Sequence, residues 1–407
     1  MKIVQINVAS YGSTGRIMYQ VQEKSVSEGY EALSFFGRGN VPEGNPDTVK
    51  IADKFSVSMH GVKARFFDKM GHGSLWNTKK LVRILKTEKP DIVHLHNLHG
   101  YFINLKVLFK YLKESNVKVV WTMHDCWPIT GGCAYFLECG CEKWKDVCDK
   151  CTQTHVYPKR YVDKSKREYN FKKKLFTSLD KLTITTPSEW LAGIVKQSFM
   201  KDYPVKVVYN GINVDVFKPY GAEVDAKTRE WLGIPENGKM ILGVANVWDE
   251  RKRMASLLKL AVDLKDQNVK IVIVGLSEKQ KAALPKGIVG ITRTQNQEQL
   301  ARIYSAADVF VSSSVEESFS LVVGEAMASG TPIVCVDGGG CSELISDKVG
   351  IVVPRDDRKA LKEAVEKILT SDKDFTEECR TRCVENYSCE SMVDGYLNVY
   401  REMYGNE

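Results

Sequence analysis

Short apolar runs alternate along the chain with longer segments whose apolar residues recur every three to four positions, and this rhythm predicts strands separated by helices in parallel sheets. In the first half the strands fall at 2–8, 32–36, 92–95, 118–122, 182–185 and 205–208, and the helices at 15–28, 104–114, 165–178 and 188–198. A turn-rich stretch, Tyr209-Asn-Gly-Ile-Asn-Val-Asp215 with Pro219 after it, breaks the rhythm and reads as a linker. Beyond it a second series of strands is predicted at 240–245, 270–274, 287–291, 309–312, 331–336 and 350–353, and the tail from Arg358 reads as helical. The fold class is therefore α/β, with two Rossmann-like domains. A cleft between them, at the carboxyl ends of their strands, is where a ligand is expected.

With 407 residues, 43% hydrophobic, the chain can bury two cores. Its apolar runs fall short of the ~20 residues that cross a bilayer. The opening residues 1–8 read as a strand rather than an export signal, so a cytoplasmic location is expected. Charge is unevenly placed: residues 1–200 carry +12 and residues 201–407 carry −5. The densest basic stretch runs through Lys159, Arg160, Lys164, Lys166, Arg167, Lys172, Lys173 and Lys174, with Tyr157, Tyr161, Tyr169 and Phe171 interleaved. Such a segment suits an anionic membrane face, or else a solvated helix surface.

The chemistry concentrates in a few strings. Glu317-Ser-Phe-Ser-Leu-Val-Val-Gly-Glu325 follows an apolar strand and leads into Ala326-Met-Ala-Ser-Gly330-Thr-Pro332, a strand, loop, helix and stop. Loop amides at Ser320, Leu321 and Val322 and the new helix's N-terminus would hold an anion. Glu317 on the loop and Glu325 in the helix would address different parts of one ligand. A nucleotide sugar fits: its diphosphate takes the amides, its ribose diol one carboxylate and its sugar hydroxyls the other. After strand 240–245 come Arg251, Lys252 and Arg253, cations suited to a diphosphate leaving group; which of them fills each role stays open. After the first strand, Gly12-Ser-Thr-Gly15 reads as a loop opening into a helix, where Gly15 would let a phosphate approach and Thr14 adds a hydroxyl. It lacks the Gly-x-Gly-x-x-Gly order of dinucleotide binders.

His124, with Asp125, stands just past the end of strand 118–122, where an imidazole can meet sugar hydroxyls or a developing charge. His94 and His96 end another strand; His94 is expected to pack and His96 to line the cleft. Cys133, Cys141, Cys148 and Cys151 fall in one loop, 126–155, and end in Cys-x-x-Cys, a set that could hold a structural zinc or stay reduced. The one Asp-x-Asp, Asp372-Lys-Asp374, reads as a helix cap, so no catalytic metal is expected.

The string Glu317-x-Phe319-x5-Glu325-Ala-Met-Ala-x-Gly330-x-Pro332, followed by Gly338-Gly-Gly340 and Glu343, resembles the donor-site signature of the retaining family 4 (GT4) glycosyltransferases, which have the GT-B fold. The resemblance extends to Asp91-Ile-Val-His94-Leu-His96, to His124-Asp125 and to Arg251-Lys252. It implies a sugar nucleotide donor of UDP or GDP type, Glu317 and His124 at the donor sugar and acceptor pocket, and Glu325 on the ribose. It implies domains at 1–203 and 204–385, with a final helix, 386–407, packed back on the first. Trp127-Pro-Ile-Thr-Gly-Gly-Cys133 resembles an insertion of a polysaccharide-biosynthesis branch, where Trp127 and Gly131 would approach a glycan or lipid-linked acceptor at the inner face of the membrane. The rival readings are a hydrolase or epimerase of nucleotide sugars, and a basic, zinc-containing module that binds nucleic acid or protein. Nucleic acid is not the expected partner.

Overall fold

The structure, a computed structural model, describes residues 1–41, 45, 47–265 and 267–405. Among them, seven parallel strands form one sheet: β1 (Lys2–Ala9), β2 (Glu31–Arg38), β3 (Thr48–Lys50), β4 (Ile92–Leu95), β5 (Lys118–Thr122), β6 (Leu182–Thr186) and β7 (Val205–Val207), in the order β3-β2-β1-β4-β5-β6-β7. Six more form a second sheet: β8 (Lys239–Val244), β9 (Val269–Val274), β10 (Ile288–Ile291), β11 (Val309–Ser312), β12 (Ile333–Val336) and β13 (Gly350–Val353), in the order β10-β9-β8-β11-β12-β13. In each, the chain order reverses beside the first strand, as in doubly wound sheets. Central strands such as β4, β11 and β12 are buried at every position, which is why they read as unbroken apolar runs.

The helices of the first unit are α1 (Gly12–Ser27), α2 (Lys54–Phe67), α3 (Leu75–Glu88), α4 (Leu105–Ser115), α5 (Ser165–Phe176) and α6 (Glu189–Val195). Those of the second are α7 (Ala222–Trp231), α8 (Met254–Asp263), α9 (Glu278–Ala282), α10 (Gln297–Ser305), α11 (Leu321–Ala328), α12 (Arg358–Leu369) and α13 (Thr376–Tyr387); α14 (Cys389–Gly405) ends the chain. In the first unit β3, α2 and α3 were not foreseen from the pattern, and in the second α7 to α10 were not placed by it.

The first compact unit runs Met1–Val208 and takes back the chain from Val393; the second is Tyr209–Met392. The first boundary falls later than 203 because β7 is a strand of the first sheet, with Val205 in register with Ile184. The second falls later than 385 because Ile212 of the second unit donates its N–H to Tyr387 O at the end of α13 and its carbonyl accepts from Cys389 N at the start of α14. From Val393 on, α14 joins the first unit through two buried tyrosines: Tyr400 OH bonds His94 Nδ1 at 2.5 Å, and Tyr396 OH accepts from Thr122 Oγ1 at 3.3 Å. Positions 406 and 407 of the expected final helix lie outside the described residues.

Candidate functional site

In the second unit, β11 delivers Ser313, Ser314 and the loop carrying Glu317 to the N-terminus of α11. Glu317 is fixed by its backbone: its N–H donates to Gly338 O and its carbonyl accepts from Gly340 N, both at 2.8 Å. The glycines are required. A Cβ on Gly338 would lie 2.3 Å from Ser314 O, and Gly339 has φ +90°. The Glu317 carboxylate accepts from Ser314 Oγ at 2.6 Å, pairs with Lys252 Nζ, and lies 3.8 Å from Arg251 Nη1. Arg251 also donates to Glu316 O at 2.7 Å. These cations come from a short 3-10 turn, Glu250–Lys252, capped by Asp249, whose side chain accepts from Lys252 N at 3.1 Å. Arg253 is set apart from them: its backbone is left-handed, φ 48°, and its guanidinium pairs with Asp356. Of the three candidates, then, Arg251 and Lys252 share Glu317.

Ser320 caps α11 at φ 176°, and its buried Oγ has no hydrogen-bond partner among the described residues. The amides of Leu321, Val322 and Val323 have no carbonyl within the helix to bond, because they belong to its first turn. One turn on, Glu325 is 8% exposed, and Tyr304 of α10, itself fully buried, donates its O–H to Glu325 Oε2 at 3.2 Å. Burial, and then Glu325, push the Tyr304 phenol well above its ordinary range, so it is a fixed donor to that carboxylate. Nothing in the sequence string singled out Tyr304, since it lies near the end of another helix, α10, 21 residues before Glu325.

In the first unit the strand ends hold a row of imidazoles. Gln5 Nε2 donates to Met18 O at 2.8 Å, which turns Gln5 Oε1 toward His96 Nε2 at 3.1 Å. His96 Nε2 must therefore carry the hydrogen, leaving His96 Nδ1 to accept from His124 Nε2 at 3.2 Å. His124 is thereby held in the tautomer whose Nδ1 is a bare acceptor. Burial lowers its pKa to about 4, so it is neutral at pH 7. His96 is wholly buried. Instead of lining a cleft, as the sequence suggested, it orients His124 from below. His94 packs, between Tyr400 Oη and Thr122 Oγ1.

Other expected acceptor-side residues are also interior. Asp125 is 6% exposed; it accepts from Trp127 N at 2.8 Å and pairs with His99 Nε2 at 2.8 Å, so it anchors the loop rather than facing a ligand. Trp127 is 2% exposed beneath Lys172, whose ammonium lies 4.2 Å from the ring centroid. A Cβ on Gly131 would lie 2.6 Å from Ser165 O, so this glycine answers to packing inside the insertion. Gly12 begins α1, so Thr14 and Gly15 lie in its first turn and not on a loop; Thr14 Oγ1 accepts from Asn7 Nδ2 at 3.2 Å. A Cβ at Gly15 would meet the Ser10 carbonyl carbon at 2.6 Å, which accounts for this glycine without a phosphate.

Cys133, Cys141, Cys148 and Cys151 line one cavity of about 280 Å³, all as free thiols. Burial pushes Cys133 up to about 12 and Cys148 up to about 11, and Arg160 Nη2 donates to Cys151 Sγ at 3.1 Å. Among the described residues no group of three or more His, Cys, Asp or Glu side chains is arranged to hold a metal ion. The basic stretch 159–174 is also not one face: Arg160 is buried on Asp68 at 3.3 Å, and Lys172 is buried with its pKa lowered to about 8, chiefly by that burial.

Two parallel Rossmann-like sheets, the second with a cation pair beside a helix N-terminus at its strand ends, define a GT-B-fold glycosyltransferase. Residues 27–216 match the profile described as Glycosyltransferase Family 4, and residues 224–387 that described as Glycosyl transferases group 1. The chain belongs to the family 4 glycosyltransferases. It is 24% identical over 424 residues to WcaC of Escherichia coli K12, a glycosyl transferase named for colanic acid biosynthesis, covering 99% of this chain and 100% of the relative. Among solved structures it resembles sucrose-phosphate synthase of Thermosynechococcus elongatus, with TM-score 0.72, 18% identity and 100% of both chains covered. It also resembles Anabaena HepE in complex with UDP, with TM-score 0.69, 15% identity and coverage of 99% and 100%. No helix among the described residues is long and apolar enough to cross a membrane.

Proposed function

We propose that this glycosyltransferase moves a hexosyl group, with retention of anomeric configuration, from a nucleotide-diphosphate sugar to a hydroxyl of a glycan or lipid-linked glycan in surface polysaccharide assembly. The observation that carries the donor half is the Arg251, Lys252 and Glu317 cluster beside the first turn of α11, where Ser320 Oγ is buried without a partner among the described residues. A diphosphate would complete that site: the cations offset charge developing on the leaving group, and the first-turn amides and Ser320 bind its oxygens. Protein cations take the part a divalent ion plays elsewhere. Glu325, steadied by Tyr304, receives the ribose hydroxyls, and Glu317 faces the donor sugar.

In the first unit, the bare His124 Nδ1 accepts a hydroxyl hydrogen of the sugar or acceptor and orients it. Support for a nucleotide sugar comes from the UDP named with HepE, and for a polysaccharide product from the naming of WcaC. A lipid-linked acceptor would keep the enzyme peripherally at the inner face of the membrane. The deciding experiment is a thermal-shift screen of sugar nucleotides, followed by product analysis with the stabilising donor. Stabilisation by one nucleotide sugar and transfer only with acceptor support the reading. Release of free sugar without acceptor would replace transfer by hydrolysis.

A further inference from the structure

Helix α2 is built inside out. At about 100° per residue, Phe55, Met59, Val62 and Phe66 fall within ~60° of one another, on the side opposite His60 and Ala64. His60 and Ala64 are the buried residues of this helix, and they fasten it: Gly73 N donates to His60 Nε2 at 3.1 Å, and His60 Nδ1 lies 3.0 Å from Ser74 Oγ. The apolar stripe faces water instead, with Phe55 76% and Phe66 54% exposed. Lys63 and Arg65 flank it on its two margins, both exposed.

The stripe continues beyond the helix. Tyr161 sets its ring, tilted by 47°, 5.1 Å from that of Phe66 and donates its backbone N–H to Arg65 O at 2.8 Å, with Lys159 Nζ 6.0 Å from the Tyr161 centroid. At the start of α3, Trp76 is 76% exposed with Lys79 Nζ 5.1 Å from its ring. Residues 54–80 hold six Lys and Arg against one acidic residue, Asp68, which is buried and paired with Arg160.

We infer that the outer face of α2, with Tyr161 and Trp76, docks on an anionic lipid bilayer: the aromatic and aliphatic side chains enter the headgroup boundary while Lys63, Arg65, Lys79 and Lys159 reach the lipid phosphates. An apolar stripe edged by long cations is what an interfacial helix needs, because the cations snorkel to the phosphates while their stems cover apolar surface. A second copy of the chain would set these cations against themselves, and a protein interface core is depleted of lysine. The inference deepens the proposed use of a lipid-linked acceptor, but the docking is tested without any sugar.

The test is cosedimentation of the full chain with phosphatidylcholine vesicles, with and without about one third phosphatidylglycerol. The wild type is expected to sediment with the anionic vesicles and to shift Trp fluorescence to shorter wavelength. Phe55→Ser with Phe66→Ser, and separately Lys63→Glu with Arg65→Glu, should each weaken binding at least about tenfold. Trp231→Ser, an exposed change in the second unit, should not. Unchanged nucleotide affinity shows that the variants are folded. The inference is overturned by absence of binding to anionic vesicles, by variants that bind like wild type, or by variants that instead change the oligomeric mass of the free protein. Vesicle binding by a chain that ignores every sugar nucleotide would leave this surface standing and remove the donor reading.

Discussion

The ammonium of Lys252 rests on the carboxylate of Glu317, and Arg251 Nη1 stands 3.8 Å from the same group. Arg251 Nη2 also lies 3.5 Å from Asp249 Oδ2, so a dianionic leaving group would take these cations over from carboxylates that hold them in place. Lys252→Ala and Arg251→Ala are each expected to lower kcat/KM by about 2–4 kcal/mol of transition-state stabilisation. Steady-state kinetics checks this, and a loss below about twofold in both would take them out of the mechanism.

Glu317 also competes with the diphosphate for Lys252. Glu317→Gln should therefore tighten binding of free UDP or GDP by a few fold, roughly 1 kcal/mol, while kcat falls because the sugar is no longer positioned. Calorimetry alongside turnover separates the two effects. Weaker nucleotide binding in this variant would mean that the carboxylate helps the diphosphate rather than opposing it.

Tyr304 and Glu325 form a buried donor and acceptor pair at 3.2 Å. Tyr304→Phe removes the O–H that fixes the carboxylate, and nucleotide affinity should drop by about 1 kcal/mol with kcat little altered. Glu325→Ala should cost more, since the ribose contact itself is lost. Equal affinities for wild type and Glu325→Ala would contradict the ribose assignment.

The neutral imidazoles of the first unit set a pH dependence. Burial depresses His60 and His124 from 6.5 to about 4, and it also holds His94 and His96 well below 6.5. Between pH 6.5 and 4 the unfolded chain binds more protons than the folded one, so stability is fully present above pH 6.5 and is lost as pH falls toward 4. For His60 and His124 this is worth roughly 3 kcal/mol each. Urea midpoints at pH 7, 5.5 and 4.5 should fall in that order, and a flat profile would contradict neutral burial.

Strands were legible because each is a short, mostly apolar run, and the Glu317–Glu325 string was legible because a loop, a helix start and two carboxylates are contiguous there. What the pattern missed has physical causes. Helix α2 carries apolar residues on both its faces, so no single amphipathic period emerges from residues 54–67. Gly12–Gly15 reads as a loop by composition, yet these small residues form the first turn of α1 because Gly15 must pass the Ser10 carbonyl. His96 and Asp125 sit beside His124 in space and were read as ligand-facing. Their roles depend on partners 91 and 26 residues away, Gln5 and His99, which spacing cannot reveal. Lys172 lies in a run of lysines but is buried with its ammonium over the aromatic ring of Trp127, a contact no linear charge count contains.

Calorimetric titration of the full chain with UDP and with GDP, once in EDTA and once in magnesium, bears most directly on the claim that protein cations grip the diphosphate. One of the two nucleotides should bind with the same affinity, within about threefold, in both buffers, and Lys252→Ala should weaken it at least about tenfold in both. Binding that requires magnesium, or a Lys252→Ala variant that binds like wild type, would contradict the account.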